Sequence, residues 1–247
     1  MTRALVVVAV LALAVGCGGG ADEVAPSAEI SEGRVYFLRD GKVWPALRAI
    51  SQTGDAVNEL AAELLRGPSD DELELGFTTA LSDELELSEI AIDDGVAHVD
   101  LDTQLPPEGL AQLVYTLTQL STVRSVDLEG AAYVVTGFDR DDFEEHTPAI
   151  LVESPLSLED VMSPLRVTGT ANTFEANFQY ELTDTDGRII AEHFVTATSG
   201  TGTRGTFEFS VPFEVSFDGV GELIVFEASA KDGSRINLVE VPLRMTR

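Results

Sequence analysis

The chain has 247 residues, 44% of them hydrophobic and 23% charged, enough for two small cores once a leader and a linker are set aside. Fifteen Lys and Arg stand against 43 Asp and Glu, a formal net charge of −28, and Lys42 and Lys231 are the sole lysines. This excludes a nucleic-acid partner, which needs a basic patch, and an anionic membrane surface would repel the body of the protein.

Met1-Thr2-Arg3 is a short positive start, residues 4–15 are an unbroken apolar run, and Gly16 and Cys17 close it. A dozen residues rise about 18 Å as a helix against a hydrocarbon core of roughly 30 Å, so the pattern is that of a cleaved secretory signal. Cys17 is the single cysteine, which excludes an internal disulfide. Leu13-Ala14-Val15-Gly16-Cys17 resembles the lipobox of bacterial lipoproteins, with Gly16 in place and Ala14 where Leu is commoner. The resemblance implies removal of residues 1–16 and a mature chain that starts at a lipidated Cys17. At least two acyl chains, palmitate among them, would then hold it to the cell membrane. The other reading is a free cysteine in an ordinary signal. Residues 17–33 read as a flexible tether spanning about 20–25 Å.

Residues 35–38 predict a strand ended by the turn Asp40-Gly41, and residues 55–66 a helix with Val57, Leu60, Ala61, Leu64 and Leu65 on one face and Gly67-Pro68 as its stop. Residues 85–92 predict a strand with a bulge between Leu87 and Ile90. Asp94-Gly95 is a hairpin turn, and Ala97, Val99 and Leu101 share a buried face. A second helix starts at Pro107 with Leu110, Leu113, Val114, Leu117 and Leu120 as its stripe; residues 123–128 and 131–135 are further strands. Residues 34–138 thus predict an α+β domain with helices on one face of a small sheet. The pieces Ala46-Leu47-Arg48, Leu64-Leu65-Arg66-Gly67-Pro68, Gly95-Val96-Ala97-His98-Val99-Asp100-Leu101 and Val126-Asp127-Leu128-Glu129-Gly130 resemble the GerMN domain of sporulation and spore germination. That resemblance implies a non-enzymatic assembly or scaffold module, with no catalytic residues to carry over.

Residues 139–148 hold the acid cluster Asp-Arg-Asp-Asp-Phe-Glu-Glu and read as an acidic linker. Residues 149–247 predict an all-β immunoglobulin-like sandwich. One alternating strand runs from Phe174 to Leu182 and another from Phe207 to Phe217; Asp186-Gly187 is a hairpin turn, residues 223–226 a central strand, and the phase switch after Leu238 a bulge. Ser154-Pro155-Leu156, Ser163-Pro164-Leu165, Val167-Thr168-Gly169-Thr170-Ala171 and Phe174-Glu175-Ala176 resemble the immunoglobulin-like domain of bacterial spore germination.

His98, His146 and His193 share no ligand spacing, and no nucleophile elbow or phosphate loop occurs, so neither a catalytic residue nor a cofactor is expected. Asp184 and Asp186 open a calcium-like loop that lacks its third acidic ligand and closing Glu, and a plain turn is the expected role. Asp139, Asp141, Asp142, Glu144 and Glu145 are a second candidate cation cluster, with a solvated linker as the simpler reading. Arg48 is expected to pair with a carboxylate and hold a loop before the first helix, or to contact a partner. The functional expectation is a lipid-anchored, extracytoplasmic, non-catalytic module that binds envelope proteins or cell-wall components. The alternatives are a wall-acting enzyme accessory and a calcium- or ligand-sensing module for a membrane receptor.

Overall fold

The computed structural model describes residues 30–51, 55–130 and 133–247. The signal, Cys17 and the tether as far as residue 29 lie outside them. Strands β1 (Ile30–Arg39) and β2 (Lys42–Ser51) form a hairpin whose turn places Asp40 at φ 51° and Gly41 at φ 73°, the left-handed pair that a two-residue connection requires. Arg48 and its neighbours therefore lie in a strand, and not in a loop before the helix. Pro45 in mid-run obscures the strand in the sequence; β2 is an edge strand, where a missing N–H is tolerated.

Helix α1 (Ala56–Arg66) buries Val57, Leu60, Ala61 and Leu64 and stops at Gly67, φ 82°. The sequence reading passes over helix α2 (Asp70–Glu74), which is opened by the reciprocal capping box of Ser69 and Glu72. Residues 85–92 are a strand over Ala91–Asp93 alone (β3), with no bulge between Leu87 and Ile90. Asn58 of α1 accepts the Ile90 N–H at 2.7 Å and donates to its carbonyl at 3.2 Å, taking the groups a ladder would use. Strand β4 (Val96–Asp100), helix α3 (Pro107–Leu117), β5 (Ser125–Gly130) and β6 (Tyr133–Phe138) complete the domain, and the sheet runs β3-β4-β5-β6 with β4 and β5 parallel.

Burial on α3 exceeds a stripe, because Ala111, Gln112, Tyr115 and Thr116 are enclosed as well. The cause is the outer edge of β1, where Leu38 is bridged to Thr78 but, among the described residues, no strand covers Arg34–Tyr36. Thr116 Oγ1 accepts the Tyr36 N–H at 3.0 Å, Gln112 donates to the Tyr36 carbonyl at 3.1 Å, and Gln119 Oε1 accepts the Arg34 N–H at 2.9 Å. Side chains at the flank of a helix thus replace a neighbouring strand and satisfy buried backbone groups that would otherwise be costly.

The second half is a sandwich of two sheets. One runs β11 (Ile189–Thr196), β10 (Asn177–Thr183), β13 (Gly219–Ala228), β14 (Arg235–Met245), β8 (Asp160–Val161); the other runs β12 (Gly205–Val211), β9 (Leu165–Ala171), β7 (Ile150–Ser154). β13 is central, as its two-sided apolar run requires, and the register shift between β13 and β14 falls at Asn237 (φ 52°), where the sequence changes phase. Two predicted strands are shorter than expected. Glu175 and Ala176 take φ of 53° and 60°, so Phe174 sits in a turn and is exposed. Pro212 has no N–H and the Phe213 N–H goes to Ser163 Oγ at 3.0 Å, so the ladder of β12 ends at Val211; Phe213 and Val215 stay buried and Phe217 is exposed.

Candidate functional site

The acid-rich segment after β6 is a built junction and not a solvated linker. Asp139 and Asp142 form a capping box over a 3-10 turn (Arg140–His146), and Phe143 is buried against the first core. Leu151 of β7 also belongs to that core, while Trp44 of β2 packs against both.

Four side chains converge there. A β-bulge in β7 leaves Glu153 without a strand partner, which turns its carboxylate toward the first domain. Tyr36, fully buried, donates to Glu153 Oε1 at 2.5 Å, and Arg140 Nη1 donates to the same oxygen at 2.8 Å. The guanidinium also donates to the Tyr115 carbonyl at 3.2 Å and to Thr118 Oγ1 at 3.0 Å, and it lies over the Tyr115 and Tyr36 rings at 4.7 and 5.3 Å. The Tyr115 hydroxyl is 2.7 Å from Thr147 Oγ1. Alongside, Arg204 holds Glu144 with two bonds, at 2.7 and 3.0 Å, and Asn172 adds a third at 2.7 Å. At the hairpin tip Arg39 donates to the Glu240 carbonyl at 3.2 Å and Lys42 to the Glu145 carbonyl.

Burial and neighbouring charge set the ionisation of this cluster. Burial, reinforced by Glu153, pushes the Tyr36 hydroxyl far above the usual tyrosine range. Burial works to raise Glu153, but Arg140 and the Tyr36 hydroxyl outweigh it and hold the carboxyl below the ordinary range. Glu144 is likewise held low by Arg204 and Asn172 against burial. The arrangement joins the two domains through hydrogen bonds and ion pairs. Glu222 is pushed upward, by burial first and then by Glu240.

The Glu153 shift has a signed consequence. A carboxyl with a lowered folded pKa stabilises fully above its unfolded value, and loses that contribution as the pH falls through the folded one. The stability gap between the wild-type chain and Glu153→Gln is therefore expected to narrow as the pH drops below about 4. Urea midpoints for both proteins at a series of pH values check this, and a gap that stays constant to pH 2 would refute it.

The residues singled out from sequence fall elsewhere. Arg48 meets Glu72 of α2 through both guanidinium nitrogens, at 2.6 and 2.8 Å, with Glu63 at 3.5 Å and the Phe37 ring beneath it at 5.1 Å. Burial raises Glu72 but Arg48 and Ser69 bring it below the usual range. Asp184 Oδ1 accepts the N–H groups of Asp186 and Arg188, each at 2.9 Å, and Asp186 pairs with the Arg188 guanidinium at 3.2 Å, so both carboxylates serve the turn. His98 on β4 is 3.8 Å from Asp127 of β5, His146 lies against Phe143, and His193 lies against Phe194 on β11. Among the described residues no three His, Cys, Asp or Glu side chains gather as a metal group. Sequence reasoning missed Arg140, Glu153 and Tyr36; the signal available was one Arg and one Phe set inside an acid run.

The fold and junction define a two-module protein, an α+β domain joined through buried contacts to an immunoglobulin-like sandwich. Residues 34–131 match the family described as sporulation and spore germination, and residues 149–234 match the immunoglobulin-like domain of bacterial spore germination. The chain carries these two family domains in tandem. No curated protein matches it. Among solved structures it is similar to the tandem GerMN domains of the sporulation protein GerM from Bacillus subtilis, with 25% identity and a TM-score of 0.37. That alignment covers 47% of this chain and 43% of the other, so the chain spans less than half the length of that relative. It is also similar to the first GerMN domain of GerM from Bacillus subtilis (18% identity, 42% and 86% covered, TM-score 0.32). A candidate lipoprotein from Clostridium perfringens is a further match (16% identity, 44% and 80% covered, TM-score 0.29). No helix among the described residues is long and apolar enough to cross a membrane.

Proposed function

We propose that this protein is a lipid-anchored, extracytoplasmic scaffold that binds other components of the bacterial envelope during sporulation, germination or envelope assembly, without catalysing a reaction. The observation that supports it best is the junction. Its most buried ionisable groups are spent on locking two modules together, and burial with neighbouring charge holds each in one protonation state. A pair of modules joined in this way presents a fixed surface to partners. Attachment through Cys17 is part of the same reading, since a body with this negative charge has no attraction to an anionic bilayer.

Two measurements test it. Metabolic labelling with an alkyne fatty acid should mark the wild-type chain and leave Cys17→Ala unmarked. Crosslinking of the full chain in cells should capture a defined membrane-protein complex. Capture of nothing, or of glycan strands alone, would count against the scaffold.

A further inference from the structure

The binding reading leaves open which surface binds, and the first domain has a candidate edge. β6 ends its sheet, and on its outer side no strand is paired to it among the described residues. Open edges are normally blunted by charge, especially Lys, or by Pro. Tyr133-Val134-Val135-Thr136-Gly137-Phe138 contains neither, in a chain where 23% of residues are charged; a bulge at Thr136 and Gly137 (φ 80°), whose Gly137 N–H goes to Asp127 Oδ1, leaves Tyr133–Val135 as the regular part of the edge. Val134 is 61% exposed and Val135 39%, although they point to opposite sides of the strand. The regular part of this edge, before the bulge, is open to a further strand.

The sheet face beside it states the chemistry. The buried side of β4 and β5 carries Ala97, Val99, Val126 and Leu128; the opposite side carries the exposed His98, Asp100 and Glu129 and the half-buried Asp127, which accepts the Gly137 N–H at 2.8 Å. β4 and β5 are parallel, and parallel pairs seldom leave a face uncovered. Asp100 and Glu129 are direct register partners, a like-charge pairing that disfavours the free sheet. Glu129 is in turn the partner of Val134. None of the four strands contains a Lys or Arg. A second copy of this chain, at a formal −28, would bring its own negative charge to this face.

We propose that β6 is a strand-addition site for an extended, basic segment of an envelope protein, and that Glu129 selects its Arg or Lys side chains while Asp100, one strand further in, adds to the negative field of that face. This rests on the binding reading above. A strand added outside β6 lies about 10 Å from β5, twice the strand spacing. Alternate side chains on the added strand would project over Val134 toward Glu129, within the combined reach of an Arg and a Glu.

The probe is a short fluorescent peptide in which Arg alternates with Val, titrated into the full chain by anisotropy, with hydrogen exchange read at the β6 amides. Saturable binding that slows exchange at Val134–Thr136 is expected. Methylating the peptide's backbone nitrogens at alternate residues keeps its charge but removes the ladder, and should weaken binding about tenfold. Asp100→Asn with Glu129→Gln should weaken it several-fold and flatten its salt dependence. Equal binding of the methylated peptide would overturn the proposal, as would no protection of β6 or no binding at all. If in-cell crosslinking still captures a defined complex while β6 stays unprotected, binding stands and this edge does not.

Discussion

Arg140→Met is expected to lower the unfolding free energy by about 3–5 kcal/mol, because it strands the Glu153 carboxylate in a buried site without its counter-charge. Glu153 and Arg140 expose 19% and 26% of their side chains, so solvent screens their interaction little. The same guanidinium bridges Thr118, the Tyr115 carbonyl and two aromatic faces, and Met keeps the chain length but none of the donors. The double variant Arg140→Met, Glu153→Gln should recover part of the loss, since a neutral amide tolerates the site better than an unpaired carboxylate. Urea unfolding followed by near-ultraviolet circular dichroism measures both. In the single variant the transition should also separate into two steps, because the link that makes the domains unfold together has gone. A loss below 1 kcal/mol with one sharp transition would mean that the hairpin-tip contacts and the Trp44 packing hold the junction alone.

The contrast between Arg140 and Arg48 shows where sequence reasoning reaches. Arg48 sits between apolar neighbours, so a carboxylate partner can be anticipated; what cannot be read is that Glu72 supplies it from a helix of five residues. Arg140 lies among five acids, and local composition makes it look like part of a solvated run. Its partner is 13 residues away, aimed by a bulge that no local pattern marks. Turns were the most legible elements. Asp40-Gly41, Asp94-Gly95 and Asp186-Gly187 each need positive φ, and the sequence pays for that with glycine at a fixed place. Strand ends were less so, because Phe174 and Phe217 continue an alternation that the backbone abandons. Gln112 and Thr116 were invisible as functional positions on α3. Their role depends on β1 having, among the described residues, no strand beside Tyr36 on its outer edge, which is a property of the assembled domain.

Gly169→Ala is expected to destabilise the sandwich by about 3 kcal/mol, at the upper end of what one added methyl does in a packed core. Gly169 is the buried centre of β9, paired to Val152 on one side and Phe207 on the other. A Cβ there would stand 2.1 Å from the Leu151 carbonyl oxygen and 2.6 Å from Phe207 Cζ. The first neighbour is backbone held in the ladder and cannot swing away. The second is the ring that meets Phe178 edge-on at 4.8 Å, so relief on that side would disturb the contact between the two sheets. This also explains the Val-x-Gly-x-Ala run physically, since the inner face of β9 needs side chains at Val167 and Ala171 and none between them. With the Arg140–Glu153 junction intact, thermal unfolding should remain a single transition, shifted to lower temperature. Thr170→Ala on the same strand is the comparison, because its side chain points to the opposite face and costs at most its bond to Arg204. If Gly169→Ala were as stable as Thr170→Ala, the close packing of Phe207 over β9 would be wrong, and with it the account of how the two sheets meet.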